Sequence, residues 1–318
     1  MEIWCSHHNK NKIKKILLGN IYEADLLEEQ LKKRIPEPLK VVLRESQEDL
    51  ANIKKFLETW GIGVFQYQCR DIYDLVHVRN DYVICDDSMY ICNRLPYLAP
   101  LYDSVKKLIQ APVVARNIGY CPNIFLHDDY CILDGLPKDP YVYFREKLRG
   151  KRKIITALNE GHSDGIYTNI ADKAWLTNGE PLNFSKYFPG QPVYQMSTTA
   201  GGTVNDWMDL RRFDHIRKEL EKTSGRYFIY GRVMDDSAMT FVDEYLKHWV
   251  GYCDETLFDM SMLVLDPNNV MAISENSKVY DFLEGVGVKV HRVQWRHRFF
   301  WDGGLHCITN ELERERNK

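Results

Sequence analysis

No apolar run in this sequence approaches the roughly 18–20 residues that a membrane-crossing helix needs. No spanning segment and no membrane partner are therefore expected. The opening stretch, MEIWCSHHNKNKIKKILLGN, has lysines but lacks an apolar core followed by a small-residue cleavage site. It is read as the start of a cytoplasmic protein. Basic charge is also missing. Forty-two Lys and Arg stand against 45 Asp and Glu, a net charge of -3, which leaves nothing to hold a phosphate backbone and makes nucleic acid an unexpected partner. The eight cysteines (Cys5, Cys69, Cys85, Cys92, Cys121, Cys131, Cys253 and Cys307) form no CxxC pair and no zinc-finger spacing with histidine. Scattered as they are in a chain without a secretory signal, they are expected to be thiols rather than a disulfide framework.

What is present is an ordinary globular composition, 44% hydrophobic and 27% charged over 318 residues, with enough apolar surface for a substantial core. One pattern recurs: a polar residue or two, a short apolar strand, a tight polar turn and a second apolar strand. VRNDYVICDDSMYICN (residues 78–93) turns at Asp86, Asp87 and Ser88. CPNIFLHDDYCILDG (121–135) turns at Asp128 and Asp129. GHSDGIYTNIADKAWLTNG (161–179) turns at Ala171, Asp172 and Lys173. DMSMLVLDPNNVMAISE (259–275) turns at Pro267, Asn268 and Asn269. β-Branched and aromatic runs around such turn residues predict hairpins.

Helices are expected between them. SQEDLANIKKFLETWG has Ser46 as an N-cap, Asp49 three residues on, a stripe of Leu50, Ile53, Phe56 and Leu57, and Gly61 as a stop. IGVFQY then reads as a strand. PYLAPLYDSVKKLIQ, LRRFDHIRKELEKTSGR and SKVYDFLEGVG also read as helices. Repeated hairpin, helix and strand units imply a closed or solenoid arrangement. A generic α/β domain with several hairpins is the competing architecture, because the spacing is irregular.

The hairpins open on polar residues that apolar strands do not require: Asn80 and Asp81, then Asn123, then His162 and Asp164. Each alone could be a turn residue, a cap or a surface histidine. If the units pack around one axis, these positions converge on one cavity. In EGHSDGIY, His162 and Asp164 at i and i+2 would share one face of a strand, and Glu160 would share it too. An imidazole beside carboxylates suits proton transfer and the holding of a cation. No third ligand of suitable spacing suggests a metal. Near the end, FFWDGGLHCITNE places Cys307 after Gly303 and Gly304, glycines that permit close backbone approach and unusual φ. A reactive thiol there needs a base or a cationic substrate to take up its proton. His306 should point away from Cys307 in an extended segment, which leaves His162 as the candidate partner. Cys307 is otherwise a core cysteine.

Together these motifs resemble the amidinotransferase branch of the pentein superfamily, enzymes that modify guanidino groups and include glycine and inosamine-phosphate amidinotransferases. GGLHCIT is similar to the family's terminal Gly-rich His-Cys-x-Thr loop, and GHSDGIY to its His-x-Asp motif. Weaker patches are the hairpin, helix and strand of FDMSMLVLDPNNVMAISENSKVYDFLEGVGVKVHRVQ, the strand entry VHVRNDYVICDDSMYICN with Asp81 at the acidic position, and the opening IKKILLGN and SQEDLANIKKFLETWGIGVFQY. The resemblance covers most of the chain. It implies a pentein-type α/β propeller: five ββαβ-like units around a pseudo-fivefold axis, with the active site at the centre of one catalytic domain spanning 1–318.

The implied reaction moves the amidino group of arginine, the small-molecule donor, to an amine acceptor. Asp81 and Asp164 would hold the donor's guanidinium by charge-assisted hydrogen bonds, helped by Asn123, Glu160 and the backbone at Gly304. Cys307 would attack its carbon, and His162 would act as general acid and then base. No metal or organic cofactor is needed, and a homodimer is compatible with the pattern. Water in place of the amine would make the protein a guanidino hydrolase, of the arginine dihydrolase or deiminase kind. Loss of catalysis would leave a propeller-shaped binding protein.

Three departures stand out. Asn123 replaces an expected aspartate, and an amide cannot neutralise a guanidinium, so Asp128 or Glu160 could supply the charge. The loop reads WDGG rather than three glycines, with Asp302 as a carboxylate or a turn residue. The stretch from about 180 to 257 is long and could form a lid or an acceptor pocket. Arg79, Arg211 and Arg232 are candidates to clamp the donor's carboxylate.

Overall fold

The computed structural model describes residues 10–68, 76–80, 82–85, 88–91, 113–116, 121–127, 130–136, 138–157, 163–177, 184–196, 228–229, 232–233, 240, 244, 255–273, 276–301 and 303–315. Numbered in chain order, its strands form five three-stranded sheets of one design and one two-stranded ribbon. In each three-stranded sheet the middle strand pairs antiparallel with one neighbour and parallel with the other. The first sheet has β1 (Ile13–Leu18) in the middle, β2 (Gly63–Gln66) parallel and β17 (Thr309–Arg314) antiparallel. The second joins β3 (Tyr82–Cys85), β4 (Ser88–Ile91) and β5 (Val113–Arg116). The third joins β6 (Ile124–His127), β7 (Tyr130–Asp134) and β8 (Lys153–Ala157). The fourth joins β9 (Tyr167–Ile170), β10 (Ala174–Thr177) and β11 (Val193–Gln195). The ribbon pairs β12 (Phe228–Ile229) with β13 (Arg232–Val233). The fifth sheet joins β14 (Leu263–Asp266), β15 (Asn269–Ala272) and β16 (Lys289–Arg292).

All four expected hairpins form: β3–β4, β6–β7, β9–β10 and β14–β15. The third strand of each sheet runs parallel to the middle one, a geometry that a short turn cannot connect. Among the described residues, helices occupy four crossovers: α1 (Ala24–Leu31) and α2 (Glu37–Thr59) before β2, Lys138–Leu148 before β8, Phe184–Tyr187 before β11, and Ser277–Gly285 before β16. The helix expected at 96–110 and the one expected at 210–226 lie outside the described residues. The stretch from about 180 begins with the helical turn and strand that complete the fourth sheet.

The helix α2 corrects one expectation. It begins at Glu37, so Ser46 is an interior residue rather than a cap. Its stripe of Leu39, Val42, Leu43, Leu50, Ile53 and Leu57 is buried against the first sheet, at helical spacing. Ser46 and Asp49 lie on the same stripe and are fully buried. Gly61 ends the segment with a φ of 73°, a conformation that favours glycine. The apolar interior is modular. Phe144 and Leu148 pack on the third sheet, Phe184 and Phe188 on the fourth, and Val279 and Leu283 on the fifth.

Candidate active site

Short helical turns, rather than extended strand, lead into the antiparallel outer strands. They are Val78–Asn80 near β3, Cys121–Asn123 before β6, Ser163–Ile166 before β9 and Glu255–Met260 ahead of β14; residues 305–308 form the turn before β17. The first four touch one another in that order. The fifth closes the ring. The Arg79 backbone N–H donates to the Cys307 carbonyl at 3.3 Å, and the His306 N–H donates to the Ser261 carbonyl at 3.1 Å. Asn80, Asn123 and Asp164, polar residues that open hairpins, therefore sit on three of the five turns gathered around one hub. Turns of three to six residues carry no hydrophobic period, so sequence pattern alone reads them as the ends of strands.

Asp164 lies in Ser163–Ile166, one turn of helix, rather than on an extended strand. His162, Glu160 and Asp81 lie outside the described residues, as do Asp128 and Asp302. Asp164 is buried in the turn, and its Oδ2 is 3.3 Å from His306 Nδ1. Asn123 is buried at the end of its own turn, on the neighbouring position of the ring.

Cys307 is part-buried and carries no disulfide. Its Sγ lies 3.5 Å from Ser261 Oγ. The side chains of His306 and Cys307 reach different partners, as expected, but from a turn and not from an extended segment. Neither Gly303 nor Gly304 has a positive φ; their role is close approach. A Cβ on Gly303 would stand 2.7 Å from His77 Nε2 and 3.2 Å from Cys307 Cβ, and one on Gly304 would stand 2.6 Å from Ser261 Oγ. Both would collide.

Arg79 is built into the hub. Its Nε donates to the carbonyls of His306 at 3.2 Å and Thr309 at 3.0 Å, and its guanidinium pairs with buried Glu311. Glu311 also accepts from Arg314 Nη2 at 3.2 Å. Of the other two arginines, Arg211 lies outside the described residues, and Arg232 is described only as backbone in β13.

Two clefts extend from the hub along the first strands. One, with about 460 Å³ of empty space including its mouth, is lined by Arg79, Tyr82, Phe125, Asp164, His306 and Glu311, among others. The second, about 270 Å³, shares Phe125, Asp164, His306 and Glu311.

The segment leading into the cysteine turn is pinned to α2. Trp295 Nε1 donates to the Gly303 carbonyl at 3.0 Å, and Trp301 Nε1 donates to Ser46 Oγ at 2.8 Å. Arg296 donates to Asp49 through its backbone N–H at 2.6 Å and through Nε at 2.9 Å. Burial alone would lower the Arg296 pKa; hydrogen bonds to Asp49 and Glu48 outweigh it and raise the value above the usual arginine range. Among the described residues, no three His, Cys, Asp or Glu side chains gather as a metal-binding group, and no helix is long and apolar enough to cross a membrane.

The residues that pattern reading missed are Ser261, His306 as the partner of Asp164, and Arg79 as a backbone clamp. Only the tight Gly-Gly before His306-Cys307 hinted that something must approach closely there. The partners themselves come from turns 46 and 227 residues away.

No protein-family model matches the sequence, and no curated protein matches it. Solved structures do. An amidinotransferase of saxitoxin biosynthesis, SxtG from Microseira wollei, aligns at a TM-score of 0.67 and 11% identity over 100% of this chain and 99% of its own. The inosamine-phosphate amidinotransferase StrB1 from Streptomyces griseus aligns at 0.69 and 11% over 100% and 98%. A DDAH from Pseudomonas aeruginosa, complexed with citrulline, aligns at 0.56 and 9% over 96% and 100%. Likeness at such identities establishes architecture: the chain has the pentein-type α/β-propeller fold.

Proposed function

We propose that the protein is an amidinotransferase that moves the amidino group of arginine to an amine acceptor through a covalent amidino-cysteine on Cys307. The observation that carries this reading is the position of Cys307, part-buried in a hub of five turns beside a serine hydroxyl, with buried Asp164 bonded to the adjacent His306. A guanidinium is planar and resonance-stabilised, so its carbon is a poor electrophile. It must be held by carboxylates while a strong nucleophile attacks perpendicular to its plane. In the proposed roles, Asp81 and Asp164 hold the donor's nitrogens with Asn123 and Glu160, and Gly304 leaves room for it.

The Cys307 thiolate forms the S–C bond. The C–N bond to the donor's side chain breaks, and the departing amine takes a proton from His162, leaving as ornithine. The acceptor amine then gives a proton to His162 and forms a new C–N bond. The S–C bond breaks, and the thiolate returns. Arginine and an amine become ornithine and a new guanidino compound, with no redox change.

Hydrolysis is the second reading, favoured by the shared fold with the citrulline-bound DDAH. Ammonia would then leave in the first half-reaction with a proton from His162, and water, giving a proton to His162, would release citrulline from the S-alkylthiouronium left on Cys307. Labelled arginine separates the two: ornithine with a new guanidino compound means transfer, whereas citrulline or ammonia means hydrolysis. Mass spectrometry after incubation with arginine should find an amidino adduct on the peptide carrying Cys307. Full turnover by Cys307→Ser would remove the nucleophile assignment. Failure of a haloacetamidine to label Cys307, together with no turnover, would point to a binding protein.

A further inference from the structure

We propose that Ser261 is a positioning residue that holds the Cys307 sulfur and favours its thiolate by donating the Oγ–H to it. The proposal rests on the reading of Cys307 as nucleophile. Three observations meet at this residue. Ser261 is fully buried at the junction of the turn Glu255–Met260 and β14, so its rotamer is fixed by packing and not by solvent. Its carbonyl accepts the His306 N–H, tying the cysteine turn to this junction one residue before the thiol. Its Oγ is 3.5 Å from Sγ, a hydrogen-bonding separation for the larger sulfur atom.

The chemistry of the pair is asymmetric. While the thiol is protonated, either group can donate. Once the thiol ionises, only the hydroxyl can. The bond therefore strengthens on ionisation and shifts the equilibrium toward the nucleophilic form. Gly304 completes the arrangement. A side chain there would overlap the place that Ser261 Oγ occupies, so the glycine before the Leu305-His306-Cys307 run is what admits a hydroxyl beside the sulfur.

The test is the rate of iodoacetamide alkylation of Cys307, followed by mass spectrometry of its peptide across pH, in the full-length protein and in Ser261→Ala and Ser261→Thr. Loss of a hydrogen bond to a charged acceptor predicts alkylation about tenfold slower near neutral pH in Ser261→Ala. The rates should converge above about pH 10, where an ordinary thiol is ionised in either protein. Ser261→Thr, which keeps the hydroxyl, should restore much of the neutral-pH rate. An unchanged profile in Ser261→Ala overturns the proposal, and so does a rate lowered equally at every pH, which would mark a packing role. Should Ser261→Ala not fold, Gly304→Ala displaces the same hydroxyl and must slow the same low-pH limb. An amidino adduct with arginine alongside an unchanged Ser261→Ala profile would sink this proposal and leave the transferase reading standing. A shifted profile with no adduct would do the reverse.

Discussion

The turn that carries Cys307 and the tryptophan-rich segment just before it are neighbours in sequence, yet opposite means hold them. The turn is gripped through its backbone. Arg79 reaches the carbonyls of His306, Cys307 and Thr309 through its guanidinium and its own N–H, and Ser261 takes the His306 N–H. The segment 295–301 is gripped largely through side chains, by Glu45, Ser46, Glu48 and Asp49 of α2. A backbone grip does not depend on which side chains the turn presents, so a histidine and a cysteine can stand there for chemical reasons. A side-chain grip is more exposed at its edge, partly titratable and open to salt. The hub is thus insulated from solution conditions, and its support is not.

The sharpest way to break this contrast is Arg79→Met. It removes both carbonyl bonds of the side chain and takes from the buried Glu311 one of its two arginine contacts, leaving that from Arg314. Breaking a buried ion pair from one side costs roughly 3–5 kcal/mol, read as a shift in the urea midpoint. The double variant Arg79→Met with Glu311→Met should lose more still, because it also takes the Glu311 carboxylate from the buried Arg314. A cost under about 1 kcal/mol for the single variant would mean that Arg79 is not the clamp of the hub.

The same contrast explains what the sequence made legible. Hairpins are local: alternating apolar residues, with Asp, Asn or Pro at the turn, specify β3–β4, β6–β7, β9–β10 and β14–β15 without reference to the rest of the chain. The Gly-Gly before His306-Cys307 was visible for the same reason. The pairing that closes the ring, Ile13 with Arg314, is set by packing across the whole chain and has no local mark. Ser46 misled because a small polar residue ahead of an apolar stripe looks like a cap, whereas here it lies on the stripe to meet an indole. The pairing of Arg79 with Glu311 went unread because nothing local reveals a carboxylate 232 residues away.

The Ser46 contact offers a medium-sized test of the outer grip. If the hydroxyl serves Trp301, Ser46→Ala and Trp301→Phe should be coupled, with an interaction of about 1 kcal/mol in a double-mutant cycle. A helix cap would give additive losses instead. Trp301 is only 2% exposed, so Trp301→Phe must be compared in both backgrounds to cancel its packing cost.

The smallest expected effect is also the one that separates the two grips most cleanly. His297 is buried beside Glu45, with Nε2 2.8 Å from the carboxylate. Burial pushes its pKa below the ordinary 6.5, and the Glu45 hydrogen bond and the charges of Glu45 and Asp49 offset this only in part, while Arg296 adds to the lowering. Above 6.5 neither the folded nor the unfolded chain protonates this group, and stability does not respond to it. Below 6.5 the unfolded chain takes up a proton that the folded chain resists, so stability falls with pH until the folded value is reached. His291, lowered by burial and by Lys289, acts with the same sign. Glu313 belongs to a more acidic window. Burial would raise its carboxyl, but Lys15 and Lys14 hold it below the usual 4.5, so its contribution is present above that value and is lost as pH falls through the folded one. Denaturation midpoints at about pH 7.5 and about pH 5.5 therefore isolate the histidines. Glu45→Gln removes the partner that favours imidazolium, so its midpoint should fall further between these two conditions than that of the unaltered protein. His297→Gln should fall less. His291 contributes equally to all three proteins and cancels. A His297→Gln protein that loses more stability on acidification than the unaltered protein would show that His297 is protonated in the folded state, and the outer grip would then be an ion pair rather than a neutral hydrogen bond.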